Sequence, residues 1–355
     1  MTSASGQVPE LTVVMPIRNE ADQIGSVLDQ LHEQSLPPER FEILVVDGMS
    51  EDGTREIVQA MMSRRPGIRM FDNPRGLSGI ARNIGVQHAT TPYILFVDGH
   101  CRIESREMLA TALAAFQRGE RCLSRPQPLI GAGGRPFQTA ASLARGSFLG
   151  HYAGSKIYEA EDRHCNPLSA GCGYTRDLYQ ELGGVDESFD AGEDLEFNLR
   201  VHQSGVSALH CCDLALAYMA RPTWRTLFRQ LYRYGHGRAR MARKHPGSFS
   251  PLATTVSLLS LWLMVLPVLG IFWRQAWQMW LATAAPYAVA TLATAAWLAR
   301  GRGARLWLTT AACFPAIHFG AGAGYVSGLI GGPSWRHSPA RRPAVYAAQP
   351  PSRPS

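Results

Sequence analysis

LTVVMPI (11–17), FEILVVD (41–47) and YILFVD (93–98) are three short, almost wholly apolar runs, and each ends in, or is followed at once by, polar residues. They are too brief for buried helices and rich in β-branched residues, so each predicts a strand buried on both faces. Between them lie a helical pattern after Asn19-Glu20 to about Gln34 and a second to about Met62, which Ser50-Glu51-Asp52-Gly53-Thr54 can cap. IRMF (68–71) predicts another strand and LSGIARNIGVQHA (77–89) another helix. Continuous apolar strands alternating with helices predict an α/β domain, a parallel sheet covered on both faces. Ligands of such sheets bind beyond the carboxyl ends of the strands. That rule singles out Pro16, Arg18, Asn19 and Glu20 after the first strand, Asp47 after the second and Asp98-Gly99-His100 after the fourth. Carboxylates gathered there repel unless hydrogen bonds or a cation relieve them. Asp and His both suit a divalent ion, which can bridge phosphate oxygens. A single strand-terminal Asp more often caps a loop; recurrence at successive strands favours function.

The remainder of the chain divides by charge. Its 355 residues carry 35 Lys+Arg against 28 Asp+Glu, net +7, and are 46% apolar, which excludes disorder and collagen-like repeats and allows about two domains. Charges are dense and mixed to about residue 245, but only Arg274, Arg300, Arg302 and Arg305 are charged between Ser250 and Gly332. Stretches 250–273, 276–299 and 306–335 carry no charge, and each is long enough to cross a hydrocarbon core of about 30 Å. The first two predict a hairpin turning at Arg274-Gln275. Arg238, Arg240, Arg243 and Lys244 before it, and Arg300, Arg302 and Arg305 after it, place both its ends and the preceding domain on the cytoplasmic side. A third crossing would carry Arg336, Arg341 and Arg342 outward, against that rule. Its Gly-rich FGAGAGYVSGLIGG predicts close packing on another helix or a fold back. The alternative is buried helices of a soluble domain.

Other features exclude more than they assign. Only two of the 35 basic residues are lysines, a bias of a GC-rich genome, and no basic run interleaves with aromatics, so no nucleic-acid partner is expected. Seven cysteines without CxxC spacing indicate neither a zinc site nor a disulfide framework, which fits a reducing compartment. MTSASGQVPE lacks the regions of an export signal, so the first domain is expected to stay in the cytosol.

In order, VVMPIRNEADQI, FEILVVDGMSEDGT, GLSGIARNIG and YILFVDGH, followed by SAGCGYTRDLYQELGGVDESFDAGEDLEFNLRVHQSG (169–205), resemble the inverting family-2 glycosyltransferases. Within that family the chain is similar to the succinoglycan-type, membrane-associated glucosyltransferases of exopolysaccharide assembly. The resemblance covers about residues 10–245; the tail is alike in kind only. It implies the GT-A fold, a Rossmann-like, mostly parallel sheet with helices on both faces, over 1–220. An amphipathic interfacial segment is then expected at 221–249, a membrane domain of two to three helices at 250–335 and a disordered tail at 336–355. The resemblance implies that Pro16, Arg18, Asn19, Glu20 and Asp47 hold the uracil and ribose of a UDP-sugar, and that Arg82 and Asn83 lie beside the nucleotide and its pyrophosphate. Asp98 and His100 fall at the family's DxD, where the diphosphate and a divalent cation, Mg²⁺ or Mn²⁺, sit. Glu193-Asp194 matches the ED pair whose Asp is the general base. Two positions depart from the pattern: VDGMS stands for VDDGS, removing one uracil contact, and His100 replaces the last Asp of DxD, lowering the site's negative charge.

The residues permit this chemistry. A cation at Asp98/His100 would offset charge developing on the leaving phosphate, and Asp194 would take the acceptor's proton during in-line attack, inverting the anomeric carbon. Glu193 can raise the Asp194 pKa or orient it; sequence leaves open which acid takes the proton, and GEDLEF alone equally suits an acidic helix start. Gln230, Arg233 and Tyr234, in QLYRY, resemble the QxxRW element of processive synthases, which implies contacts to pyrophosphate and acceptor sugar. The same stretch reads as an amphipathic interfacial helix, and both can hold; Arg238, Arg240, Arg243 and Lys244 read as anchors to anionic headgroups. Pro/Gly-rich LSRPQPLIGAGGRPFQ, within 119–168, predicts a mobile loop beside the acceptor cleft that His151, Tyr152, His164 and Cys165 could line, and Cys211-Cys212 a core position. The expected activity is transfer of a hexose, glucose first, from a UDP-sugar to a lipid-linked (prenyl-diphosphate) saccharide at the inner membrane, alongside other glycan-assembly proteins. The alternatives are a processive polysaccharide synthase and a non-catalytic nucleotide-sugar-binding scaffold.

Overall fold

A computed structural model describes residues 8–131, 135–151, 157–158, 161–249 and 251–331. The quoted runs form β1 (Leu11–Ile17), β2 (Phe41–Asp47) and, with Ile68–Asp72 as β3, β4 (Tyr93–Phe96). These four are parallel in the order β3-β2-β1-β4, with Val14 of β1 level with Leu44 and Phe96. The connections are α1 (Ile24–His32), α2 (Thr54–Arg64) and α3 (Ser78–His88). Both faces of the sheet are covered, which is why the runs do not alternate. Val13, Met15, Ile43 and Val45 pack on Ile24, Val27, Leu28 and Leu31, while Val14, Leu44 and Phe96 pack on Val86, Phe197 and Val201.

The chain continues as β5 (Cys101–Ile103), α4 (Met108–Gln117), β6 (Cys122–Ser124), β7 (Leu129–Ile130), α5 (Pro136–Arg145) and β8 (Arg163–Cys165). It then forms β9 (Gly171–Thr175), α6 (Arg176–Glu181), α7 (Glu193–Gln203), β10 (Ala208–His210) and β11 (Leu216–Met219). The main sheet extends as β4-β9-β6-β10-β8, with β9 and β8 reversed, so six of its eight strands point one way. A small second sheet, β5-β11-β7, stands beside it. The expected loop across 119–168 is corrected here. Leu129–Ile130 pairs with β11, and Ala140, Ala141 and Ala144 of α5 are wholly buried, because the Ala-rich helix fits where larger side chains would not.

Beyond β11 come α8 (Trp224–Lys244), α9 (Pro251–Leu269), α10 (Arg274–Leu298) and α11 (Ala304–Leu329). Thr223 caps α8 by accepting from Thr226 N at 3.2 Å, in a reciprocal capping box. The α9–α10 hairpin turns at residues 270–273, just before the expected Arg274-Gln275, which instead open α10, and the expected 336–355 tail lies outside the described residues. Among the described residues one helix, Arg274–Leu298, is long and apolar enough to cross a membrane. The Gly-rich run of α11 does pack on another helix, and that helix is α8. A Cβ at Gly324 would lie 1.9 Å from the Tyr232 carbonyl oxygen, and one at Gly235 2.0 Å from that of Ala321, so the two backbones touch.

Candidate active site

The strand ends predicted to hold ligand open on one cavity of about 1480 Å³. Pro16, Arg18, Asn19, Glu20, Arg82, Asp98, His100, Glu193, Asp194, Gln230, Arg233 and Tyr234 all line it. Asp47 and Asn83 do not. The Asp47 carboxylate is fully buried, accepting from Ser50 N at 3.0 Å, Ser50 Oγ at 2.5 Å and Arg55 Nη1 at 2.6 Å. It shapes the loop after β2 rather than facing the cavity. Asn83 is spent likewise: its amide donates to Val185 O at 3.0 Å and accepts from the Tyr179 hydroxyl at 2.8 Å.

The first loops lock one another. Asn19 has φ 54° and Met49 φ 60°, left-handed conformations that non-glycine residues hold only when their surroundings demand it. The demand is visible: Asn19 N donates to Ser50 Oγ at 2.8 Å, and Asn19 Oδ1 accepts from Glu51 N at 2.9 Å. Asp52 Oδ1 accepts from Thr54 N at 3.1 Å at the start of α2, and Glu20 N donates to Thr54 Oγ1 at 2.8 Å. Glu20 also pairs with His100 Nδ1 at 3.0 Å, tying the end of β1 to that of β4.

The acids converge. Asp98 accepts from the Tyr218 hydroxyl at 2.6 Å; burial would raise its carboxyl, but His100, Arg82, that hydrogen bond and Arg125 hold it below the ordinary value. Glu193 and Asp194 open α7 behind Gly192, whose φ of 78° turns the chain into the helix. Glu193, 6% exposed, accepts from Ser78 Oγ and from Arg82 Nη1 at 2.6 Å. Burial opposes the charge on Arg82, yet Glu193, Asp194 and Asp98 outweigh it and raise the guanidinium pKa. Asp194 is reached by solvent through the cavity though ringed by protein, and among the described residues it accepts from Leu195 N alone, at 2.8 Å. Burial raises its carboxyl, Glu193 raises it further and Arg82 pulls against both. One acid is locked in an ion pair; its neighbour, free toward the cavity and driven basic, suits proton acceptance.

Comparison with known proteins agrees. The family description "Glycosyl transferase family 2" matches residues 12–174. The succinoglycan biosynthesis protein ExoA of Rhizobium meliloti is 29% identical over 274 residues, 72% of this chain and 80% of that protein. Residues 12–174 of this chain form a glycosyltransferase family 2 domain. Glycosyltransferase AglE of Haloferax volcanii is 23% identical over 232 residues, 65% of this chain and 73% of its own. A mannosyltransferase of Pyrobaculum calidifontis, solved with GDP-Man and Mn²⁺, superimposes with a TM-score of 0.56 at 20% identity, covering 91% of this chain and 87% of that one. It shares the GT-A-like fold.

The QLYRY element of the glycosyltransferase borders the same cavity. Arg233 Nη2 donates to Asp190 O at 2.8 Å, just before Glu193 and Asp194, and Gln230 Nε2 donates to the Tyr234 hydroxyl at 3.2 Å. Of the four uncommitted residues His151 lines the cavity, His164 pairs with Glu120 at 3.0 Å away from it, Cys165 is absent from the lining, and Tyr152 lies outside the described residues. Arg125 and Arg145 were missed. Both are buried cations lining the cavity, Arg125 donating to Phe96 O at 2.7 Å, and neither stands in a motif; only the fold reveals them.

Asp98 and His100 fit a cation that arrives with its substrate. A carboxylate and an imidazole line the cavity, while among the described residues no three acidic, His or Cys groups are arranged to hold a metal ion by themselves. Small divalent ions are commonly held this way, by one or two protein groups plus substrate phosphates.

Proposed function

We propose that this glycosyltransferase moves a hexose, glucose first, from UDP to a lipid-linked saccharide, with inversion, at the cytoplasmic face of a membrane. The observation that carries the proposal is the cavity itself. It runs from polar strand ends through Asp98 and Asp194 to Gln230, Arg233 and Tyr234, and on to Val256, Leu259, Leu263 and Phe319 of the C-terminal helices. A water-soluble donor and an amphipathic acceptor would meet there.

In this reading Arg18 and Asn19 face the nucleoside, and Asp98 and His100 hold Mg²⁺ or Mn²⁺ against the diphosphate. When bound, the cation supplies Lewis-acid stabilisation of the leaving group. Asp194 accepts the acceptor hydroxyl's proton while Arg82 and Ser78 occupy the Glu193 carboxylate, and Tyr234 offers a stacking face to the acceptor sugar. The ExoA relative and the Mn²⁺-bound mannosyltransferase support the reading. Purified protein in detergent, given UDP-glucose, UDP-galactose or GDP-mannose with either metal and a prenyl-diphosphate saccharide, should release UDP and add one sugar. Long polymer would refute the single transfer, and release from GDP-mannose alone would refute the donor.

A further inference from the structure

Arg145 ends α5 with its side chain 9% exposed at the cavity wall. Its Nη1 donates to Gln230 Oε1 at 3.2 Å and its Nη2 to the Tyr158 hydroxyl at 3.2 Å, while its carbon centre stands 5.7 Å over the Tyr234 ring. The buried Nε has no partner, and no carboxylate pairs with this guanidinium among the described residues. Arg82 has a counter-charge in Glu193, whereas Arg125, the other buried arginine lining the cavity, donates to Phe96 O and likewise forms no ion pair among the described residues. A buried cation without one is costly, and an anion entering the cavity would relieve it.

The surroundings are positive as well. Burial first, then Arg145 and Arg238, hold the His151 imidazole down to about 4. His151 therefore stays neutral beside Tyr158, at 4.5 Å between rings, and can donate to an anion without competing for it. The same cavity is lined by the apolar Leu259, Leu263 and Phe319, so cation, neutral donors and hydrocarbon share one space.

We propose that Arg145, with Arg238, His151 and the Tyr158 hydroxyl, forms the subsite for the phosphate groups of the acceptor lipid, whose first isoprene units lie against α9 and α11. The inference rests on the lipid-acceptor reading above. Arg145 binds and positions the acceptor and takes no part in the proton transfer at Asp194. A planar fork already turned toward two neutral oxygens can exchange them for phosphate oxygens with little reordering.

The test uses the full chain in detergent with UDP and Mn²⁺ saturating, so that the donor's diphosphate place is filled, and measures calorimetric binding of farnesyl diphosphate, inorganic pyrophosphate and farnesol. Farnesyl diphosphate should bind more tightly than the other two, and Arg145→Gln should weaken it about tenfold or more, with partial recovery in Arg145→Lys. Equal binding of pyrophosphate and farnesyl diphosphate would overturn the lipid assignment, as would equal binding of farnesol. Unchanged affinity in Arg145→Gln would overturn the role of Arg145. If that variant does not fold, unmodified protein that binds UDP yet ignores farnesyl diphosphate overturns the subsite. UDP binding is read separately in every arm, so the donor half of the proposed function stands or fails on its own.

Discussion

Asp194 pays for its reactivity in stability. Its carboxyl is raised above the ordinary 3.8 by burial and then by Glu193, so the folded state holds that proton more tightly than the unfolded chain does. Stability from this group is therefore full below 3.8 and is lost as pH rises through the folded value. At neutral pH Asp194→Asn should melt higher, by about 2 °C or more in a thermal scan. The same substitution should lower kcat by about a thousandfold with UDP affinity retained, because a carboxamide cannot accept the proton. Undiminished turnover would remove Asp194 from the mechanism. The raised carboxyl also gives the pH–rate profile an acidic limb, with activity rising as Asp194 ionises. Since Arg82 pulls that pKa down, Arg82→Gln should move the limb to higher pH; a limb that stays put would show that Asp194 does not carry it.

Helix α8 is clamped at backbone distance on two sides. A Cβ on Gly237 would meet the Ala191 oxygen at 2.5 Å, one residue before the turn into α7, while Gly235 faces α11. The two glycines are about 200° apart around the helix, so α8 is a spacer between α11 and the loop that aims Asp194. Gly237→Val should push that loop and lower kcat about tenfold or more while the melting temperature moves little, since the loop is free to shift into the cavity. Gly324→Leu has carbonyl rather than open space in front of it and should cost about 1–3 kcal/mol or more, visible as a lower melting temperature in detergent. How far the sequence could be read follows the same line. Strands β1 and β2 match their apolar runs end to end, because a fully buried strand writes its limits in composition. The acids at strand ends were legible for that reason too. Asp47 obeyed the pattern but is consumed by Arg55, a partner eight residues on that no periodicity reveals. The helix α5 and Arg145 were illegible, because Pro/Gly-rich flanks mask an Ala-rich helix whose burial comes entirely from α11 and its neighbours.

At the scale of the whole molecule, the pairing of α8 with α11 bears on the conflict among the basic residues. The hairpin's outer half exposes Trp262, Met264, Val268, Ile271, Phe272, Trp277 and Leu281, an apolar surface that water would penalise and lipid would not. Its helices are about 28 and 37 Å long, and the longer, Arg274–Leu298, is the described helix long and apolar enough for a core of about 30 Å. Helix α11 behaves differently. It runs parallel to α8, with Trp224 donating to Ala312 O at 3.1 Å near one end and Arg243 to Gly328 O at 3.2 Å near the other. Helix α8 carries seven basic residues, several bonded to the catalytic domain, so it cannot lie at bilayer depth, and a helix touching it along its length cannot either. A hairpin that crosses the bilayer while α11 stays packed on α8 would make two crossings, not three, and predicts Phe272 on one side with Arg302 and Leu329 on the other. Alkaline phosphatase fused after Phe272 should be active in cells, and fusions after Arg302 and after Leu329 should both be inactive. Activity after both Phe272 and Leu329 would restore a third crossing and separate α11 from α8; inactivity at all three would keep the hairpin out of the bilayer.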